Sequence, residues 1–234
     1  MSLRIVLFDL DGTLVDCAGA GRRSLEAAFR GVLGIDGIEA LSRRVRFEGK
    51  TDPAIVRDIA REAGIPPERI ERTEGAIRGA YLAALREEMT RPDARRRVMP
   101  GVPALLDDLS GRPSVRLGLL TGNLEEGARL KLEPFGLNRY FPAGGFSSDH
   151  PDRIEIARIA WERLSAAAGA PIDFSRTAVV GDTELDVACA RANGFRAIAV
   201  ATGWVPRERL EAARPDALFD DLSDLPRVLA AVLA

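Results

Sequence analysis

The chain has 234 residues, of which 46% are hydrophobic and 29% are charged, and its formal net charge is −2. These values are ordinary for a globular chain with one large core, or one core and a smaller helical module, and they exclude a strong basic field for nucleic acid. No apolar run approaches the ~20 residues of a membrane span, so no membrane partner is expected. Two cysteines and no export signal predict a cytoplasmic protein, while the oligomeric state stays open.

An apolar run at the start of the chain predicts a strand that is buried on both faces. It covers Leu3 to Phe8 and ends in two carboxylates, Asp9 and Asp11, followed by Gly12. Because side chains alternate along an extended segment, both carboxylates point the same way. Two like charges that face one small volume favour a cation between them, and a hard ion such as Mg²⁺ fits best.

Helices without a convincing strand are predicted between residue 16 and about residue 97. Apolar spacing predicts a helix over Ala20–Leu33, a second helix with Thr51 or Asp52 as its N-cap, and a longer one over about Glu68 to Glu88. This shift in composition indicates a helical insert. We therefore predict a cap domain at 16–97 and a core domain formed by 1–15 and 98–234.

Strands and helices alternate over the rest of the chain. The predicted strands are Val115–Leu120, Ala143–Phe146, Thr177–Val180, Ala197–Val200 and Ala217–Phe219, and the predicted helices are Val102–Leu109, Glu125–Phe135, Ile154–Ala167, Glu184–Ala192, Glu208–Ala213 and Leu222–Leu233. Such alternation predicts an α/β fold with a doubly wound, mostly parallel, Rossmann-like sheet.

Polar residues follow several of the predicted strands. The segment Thr121-Gly122-Asn123 follows one strand, and Asp182 and Asp186 follow another. Since the carboxyl ends of parallel strands share one edge of the sheet, these residues can converge with Asp9 and Asp11. A metal site beside an anion site fits a metal-bridged phosphoryl group, and an aspartate there can attack phosphorus.

These motifs resemble the four signature motifs of the haloacid dehalogenase superfamily, in the same order and over the whole chain. The matching residues are Asp9-Leu10-Asp11-Gly12-Thr13, Thr121-Gly122-Asn123, a basic residue near 153, and Gly181-Asp182 with Asp186. The helical insert is similar to the α-helical cap of that superfamily. The nearest group by resemblance is that of the phosphoglycolate-phosphatase-like hydrolases.

The resemblance implies a role for each motif residue. Asp9 would be the nucleophile, and Asp11 would protonate the leaving alcohol and then activate water. The implied phosphate-binding residues are Asp9, Gly12, Thr121, Gly122, Asn123 and Arg153, and the implied metal ligands are Asp9, Asp11, Asp182 and Asp186. Dehalogenases lack the second aspartate, so Asp11 favours phosphoryl transfer.

The basic position departs from the family, which usually has lysine there. The chain has two lysines, Lys50 and Lys131. Lys131 falls about two turns into the helix that follows Thr121, and this spacing predicts that it is too far from the site. We therefore expect Arg153 to bind the phosphoryl oxygens, the alternative being a solvated residue at a helix start.

Two cap residues are candidates for substrate contact. Lys50 lies in a loop between cap helices, where the family often carries specificity residues, and it is a hypothetical contact for the leaving group. A solvated loop lysine is an equally open alternative. Arg22, at the start of the first cap helix, is a weaker candidate of the same kind.

The sequence thus predicts a Mg²⁺-dependent phosphatase that hydrolyses a small phosphorylated metabolite, phosphoglycolate-like or a sugar phosphate, through an aspartyl-phosphate. A phosphomutase of the β-phosphoglucomutase kind shares the motifs and the cap. A phosphonatase would need a Schiff-base lysine, and Lys50 is the one lysine of the predicted cap. A non-enzymatic Mg²⁺-binding regulator would not need both Asp9 and Asp11.

Overall fold

A computed structural model describes residues 3–169 and 172–234 as a six-stranded sheet flanked by helices, with a helical insert after the first strand. In chain order the elements are β1 (Arg4–Phe8), β2 (Val15–Asp16), α1 (Ala20–Leu33), α2 (Ile38–Ser42), α3 (Asp52–Glu62), α4 (Pro67–Thr90), β3 (Arg97–Val98), α5 (Val102–Ser110), β4 (Val115–Leu120), α6 (Glu125–Leu132), β5 (Ala143–Gly145), α7 (Arg153–Ala167), β6 (Thr177–Gly181), α8 (Glu184–Ala192), β7 (Arg196–Val200), α9 (Arg207–Ala212), β8 (Ala217–Phe219) and α10 (Leu225–Val232).

The sheet has the strand order β5-β4-β1-β6-β7-β8, and every pair in it is parallel. Strand β1 lies at the centre, with Val6 opposite Leu117 of β4 and Ala178 of β6. The chain therefore extends the sheet first to one side of β1 and then to the other. This reversal is the switch point at which doubly wound folds place their ligands, and the α/β prediction is confirmed.

The central strand is buried on both faces, as its apolar run predicts. Val6 and Phe8 belong to one hydrophobic cluster, and Ile5 and Leu7 belong to a second cluster on the opposite face. Alternating side chains thus hold helices on both sides of the sheet. Apolar burial fixes β1 and places the acids at its carboxyl end at the edge of the sheet.

The helical insert leaves and re-enters the sheet domain through a two-stranded ribbon. Val15 pairs with Val98 and Asp16 with Arg97 in antiparallel register, and helices α1 to α4 lie between these strands. The hydrophobic cluster of Val6 continues without a break into the insert. The ribbon coincides with the predicted boundaries, while the division into a 16–97 cap and a core of 1–15 and 98–234 stays a prediction.

Most predicted elements lie within two residues of the observed ones, and the exceptions have local causes. Helix α6 ends at Leu132 and continues as a 3₁₀ turn at Glu133–Phe135, where Pro134 lacks an amide donor. Helix α10 begins at Leu225, later than predicted, because the Asp224 side chain caps it. Among the described helices, none combines the length and apolar character that a membrane crossing requires.

Candidate active site

A cavity of about 640 Å³ lies between the carboxyl edge of the sheet and the helical insert. It is lined by residues from the loops after β1, β4 and β6 and from the insert. Among them are Asp9, Asp11, Arg22, Lys50, Thr121, Gly122, Asn123, Lys131, Arg153 and Asp182. The sheet edge therefore brings the sequence motifs to one volume, as parallel strand ends require.

Two groups of side chains divide this cavity. We call Asp9, Arg153, Asp182 and Asp186 the arginine cluster, and Asp11, Thr121, Asn123 and Lys131 the lysine cluster. Each group contains one of the two acids of the first motif and one buried basic residue.

Asp9 occupies the centre of the arginine cluster. Its backbone N–H donates to the Val180 carbonyl at 2.9 Å, which extends the β1–β6 ladder to the motif. Its Oδ1 lies 2.9 Å from Nη2 of Arg153. Burial raises the pKa of Asp9 to about 6; Arg153 opposes this shift and Asp186 adds to it. Asp9 is thus a desolvated carboxylate beside a fixed cation.

Asp182 provides the strongest indication of a metal site. Ligand oxygens of Asp9, Asp182 and Asp186 all lie within 4.8 Å of one another. Oδ1 of Asp182 accepts from the Thr13 hydroxyl at 3.1 Å, whereas its buried Oδ2 has no hydrogen-bond partner among residues 3–169 and 172–234. Burial, followed by the charges of Asp9 and Asp186, raises the pKa of Asp182. Three buried carboxylates whose ligand oxygens lie this close together fit a divalent cation.

Asp186 is more fully engaged than Asp182. Its Oδ2 accepts from the Thr183 amide at 3.0 Å and from the Thr183 hydroxyl at 2.6 Å, closing a capping box at the start of α8. Its Oδ1 accepts from Arg153. These contacts orient Asp186 behind Asp9 and leave it fewer free lone pairs than Asp182 has.

Gly12 contributes space rather than a free donor. Its φ of +85° places it in the left-handed region, and a Cβ there would lie 2.5 Å from Oδ2 of Asp182. Its amide already donates to the Val15 carbonyl at 2.9 Å, so the predicted phosphate contact has no free N–H in this geometry. Gly203, which sequence analysis missed, flanks the same oxygen, and a Cβ there would lie 1.7 Å away.

Lys131 lies in the site, and the prediction that it is too far away was wrong. Its Nζ is 2.6 Å from Oδ2 of Asp11 and 2.7 Å from Oδ1 of Asn123. Helical side chains lean toward the helix N-terminus, so the long lysine chain reaches back along α6 to the sheet edge. The available sequence signal was its helical spacing from Gly127 and Ala128, which share the buried face of α6.

The charge of Lys131 is retained despite burial. Burial by itself would lower the pKa of this amine, but the Asp11 carboxylate, helped by Tyr81, raises it above its ordinary value. Lys131 is 5% exposed. The lysine cluster therefore contains a buried ammonium group that is hydrogen-bonded to the Asp11 carboxyl and to the Asn123 amide oxygen.

Arg153 stands where the sequence places it, at the first turn of α7. It contacts Asp9 and Asp186, and its Nη1 donates to the Gly49 carbonyl of the insert at 3.3 Å. Burial would lower the pKa of the guanidinium, but Asp186 and Asp9 outweigh burial and raise it. The site has two buried cations where sequence analysis expected one.

The motif after β4 is held by hydrogen bonds and by the insert. The hydroxyl of buried Thr121 accepts from Nδ2 of Asn123 at 2.8 Å. A Cβ on Gly122 would lie 2.1 Å from the Lys50 carbonyl, so a side chain at this position would collide with the insert. Asp52, also missed from the sequence, donates its amide to the Gly122 carbonyl at 2.7 Å and accepts from the Leu124 amide at 2.9 Å.

The two candidate substrate residues of the insert, Lys50 and Arg22, line the cavity without contacting the motif acids. Nζ of Lys50 lies 2.5 Å from Oδ2 of Asp58. The guanidinium of Arg22 stacks 3.7 Å above the Phe47 ring and donates to the Ser42 carbonyl. Their contact with a leaving group stays a prediction.

Comparison with known proteins identifies the family of this chain. The family model of the haloacid dehalogenase-like hydrolases matches residues 6–191. The probable phosphatase IndB of Dickeya dadantii is 32% identical, over 94% of this chain and 91% of its own length. A phosphoglycolate phosphatase of Cupriavidus necator is 33% identical, over 96% of this chain and 92% of its own.

A solved structure shares the fold. CbbY from Rhodobacter sphaeroides, in complex with phosphate, has a TM-score of 0.72 and 22% identity, over 95% of this chain and 96% of that one. The chain belongs to the haloacid dehalogenase-like hydrolase family. Within that family it is an enzyme of the phosphatase group.

Proposed function

We propose that this chain is a Mg²⁺-dependent phosphatase that hydrolyses a small phosphomonoester through an aspartyl-phosphate on Asp9. The observation that carries the proposal is the arginine cluster. It sets a desolvated Asp9 2.9 Å from a buried guanidinium, and ligand oxygens of Asp9, Asp182 and Asp186 lie within 4.8 Å of one another. A nucleophile beside a cation site is what attack on a phosphoryl group needs.

The residues proposed to hold Mg²⁺ are Asp9 and Asp182, together with the backbone carbonyl of Asp11. Asp186 would support them from behind, since Arg153 and Thr183 occupy its oxygens. The ion would neutralise charge on the phosphoryl oxygens.

The chemistry of the chain itself has two steps. Asp9 attacks phosphorus while the bond to the leaving oxygen breaks, and Asp11 gives that oxygen its proton. Asp11 then takes a proton from a water that attacks the phosphorus, and the bond to Asp9 breaks to release inorganic phosphate. The Thr121 hydroxyl and the Arg153 guanidinium are proposed to bind the non-bridging oxygens.

The substrate is proposed to be small and to carry a polar or anionic group besides the phosphoryl group. One relative is named for phosphoglycolate. Lys50 and Arg22 line the insert side of the cavity and offer positive charge to a carboxylate or to sugar hydroxyls. A phosphoglycolate-like ester and a sugar phosphate are therefore the first substrates to assay.

The test is phosphate release from a panel of phosphomonoesters with Mg²⁺, comparing wild type with Asp9→Asn. We expect the substitution to lower turnover by at least about 10³-fold, since it removes the attacking oxygen. The matched control is Asp36→Asn at an exposed position, which should leave turnover unchanged.

Two results would contradict the proposal. Full activity of Asp9→Asn would assign the nucleophile elsewhere, and full activity in excess chelator would exclude a metal requirement. Transfer of the phosphoryl group to a second sugar phosphate, in place of its release to water, would assign the chain to the mutases.

A further inference from the structure

Lys131 is a second buried cation that does not occupy the expected basic position. Its Nζ bonds to Asp11 and Asn123, whereas Arg153 contacts Asp9 and Asp186. The two cations therefore serve different acids. A phosphoryl group bound at Asp9 would contact Arg153. Lys131 is therefore expected to act on other groups of the site than the phosphoryl group.

The contacts of Lys131 fix the orientation of the Asn123 amide. An ammonium group only donates, so the atom of Asn123 that faces it at 2.7 Å is the oxygen. The amide nitrogen then faces the site and donates to Oδ2 of Asp11 at 2.9 Å and to Oγ1 of Thr121 at 2.8 Å. One lysine thereby sets the direction of both amide hydrogens.

The same contacts determine where the Thr121 proton points. Oγ1 of Thr121 accepts from Nδ2 of Asn123 and also from its backbone amide at 3.3 Å. A hydroxyl oxygen has two acceptor sites, and both are now used. The hydroxyl hydrogen is left to donate to a phosphoryl oxygen.

Asp11 is fixed through one of its two oxygens. Oδ2 accepts from Lys131 at 2.6 Å and from Asn123 at 2.9 Å. Oδ1 is thereby left for the oxygen of the leaving group. A rotation of this carboxylate would break two hydrogen bonds, one of them to a charged donor.

We propose that Lys131 is a positioning residue that fixes Asp11 against the leaving group and, through Asn123, aims the Thr121 hydroxyl at the phosphoryl group. The inference rests on the proposed function. It assigns to α6 a part in the leaving-group step that the four motifs do not contain.

The first test is Lys131→Met, assayed with an aryl ester, p-nitrophenyl phosphate, and with the alkyl ester that the panel ranks first. Nitrophenolate leaves with little need of a proton, whereas an alkoxide needs one. We expect kcat to fall about 30-fold or more on the alkyl ester and less than about 10-fold on the aryl ester, with KM within about threefold. Equal losses on both esters, or no loss, would overturn the inference.

A second variant avoids removal of the buried charge. Gly21 lies in α1, and a Cβ there would lie 3.2 Å from Nζ of Lys131, so Gly21→Ala would displace the ammonium while favouring the helix. We expect kcat again to fall more on the alkyl ester than on the aryl ester, with a loss about 3–10-fold smaller than in Lys131→Met. Gly31→Ala in the same helix is the matched control, because no described atom beyond its chain neighbours and its own helix backbone lies within 4 Å of its Cβ position.

A double-mutant cycle tests the route through Asn123. If Lys131 acts through this amide, Lys131→Met and Asn123→Ala will be strongly non-additive in kcat. Additive losses would overturn the route.

A readout besides activity separates this inference from the proposed function. In ¹⁵N spectra of the metal-free protein, the Asn123 side-chain amide can be assigned by its loss in Asn123→Ala. We expect this pair of signals to shift or broaden in Lys131→Met and to stay unchanged in Gly31→Ala. An unchanged pair in Lys131→Met would refute the inference, whereas a wild type that hydrolyses no ester would refute the proposed function.

Discussion

The arginine cluster and the lysine cluster each pair a motif aspartate with a buried cation, but the two clusters differ in charge balance. The arginine cluster has three carboxylates and one guanidinium, which contacts Asp9 and Asp186, and one buried oxygen of Asp182 has no hydrogen-bond partner in the described chain. In the lysine cluster one ammonium bonds to one motif acid, Asp11. Acids outnumber the cation in the first cluster, whereas the second cluster has one acid and one cation.

The difference in charge balance indicates a different role for each cluster. Buried carboxylates that outnumber their cation repel one another, and a bound metal ion relieves this repulsion. A network in which the cation is hydrogen-bonded to an acid and an amide holds its geometry without an added ion. We therefore assign binding and attack to the arginine cluster, and orientation of the leaving-group acid to the lysine cluster.

The largest expected effect is that of Arg153→Met, which leaves three buried carboxylates without their cation. We expect loss of turnover by about 10³-fold or more and a loss of about 3–5 kcal/mol in the free energy of unfolding of the metal-free protein. Chemical denaturation with and without Mg²⁺ measures the free energy of unfolding of the metal-bound and metal-free protein. We expect Mg²⁺ to restore part of the stability that the variant loses. If metal-free Arg153→Met were as stable as metal-free wild type, the carboxylates of the arginine cluster would not depend on this cation, which would contradict the assignment.

Asp182→Asn should act in the opposite direction on the metal-free protein. It removes a buried charge whose pKa is raised, so we expect the free energy of unfolding in chelator to increase by about 1 kcal/mol, or about 2–4 °C in Tm. Mg²⁺ should then add little stability. Thermal melts in chelator and in Mg²⁺ give the two Tm values. In chelator, a Tm of Asp182→Asn below that of wild type would contradict this expectation.

Asp52 provides a pH-dependent test at the junction of the insert and the sheet edge. Burial raises its pKa from 3.8 to about 6. Because the folded protein holds the proton more tightly than the unfolded chain, the free energy of unfolding should fall as pH rises from about 4 to about 6, by about 1.5–3 kcal/mol.

The matched variant for this effect is Asp52→Asn, which keeps an acceptor for the Leu124 amide and removes the titration. The difference in unfolding free energy between wild type and variant, measured by denaturation at pH 4, 5, 6 and 7, should therefore change over that window. A difference that is flat with pH would show that Asp52 does not titrate in the folded state as stated.

Lys50→Ala has the smallest expected effect. Its ammonium lines the cavity beside Asp58 and contacts no motif acid. We expect KM for the best substrate to rise about 3–10-fold with kcat within about twofold. Arg61→Ala removes the other cation bound to Asp58 and serves as the control, with KM unchanged. An unchanged KM in Lys50→Ala would end the substrate-contact hypothesis.

The parts of the fold that local pattern determines could be predicted from the sequence. The buried strand before Asp9, the strand of Val115–Leu120 and the helix of Glu184–Ala192 follow from apolar runs and helical spacing. The short helix Ile38–Ser42 was missed because five residues carry too little periodicity. The ribbon at Val15–Asp16 was missed because its pairing joins distant parts of the chain.

Site residues could be predicted where a motif directly follows a strand. They could not be predicted where a side chain reaches the site from a distant position through the tertiary structure. Arg153 opens a helix at the sheet edge, so its place could be inferred. Lys131 reaches the site only because α6 is oriented with its buried face toward Asp11, and local spacing does not contain that orientation. Asp52 and Gly203 likewise depend on the contact of loops that are far apart in sequence.

The measurement that tests the central claim most directly is calorimetric titration of Mg²⁺ into the metal-free wild type, Asp182→Asn and Lys131→Met. We expect one bound ion in wild type and in Lys131→Met, and a loss of at least about 10-fold in affinity in Asp182→Asn. Equal affinity in wild type and Asp182→Asn, or a comparable loss in Lys131→Met, would contradict the division of the site into an unbalanced and a balanced half.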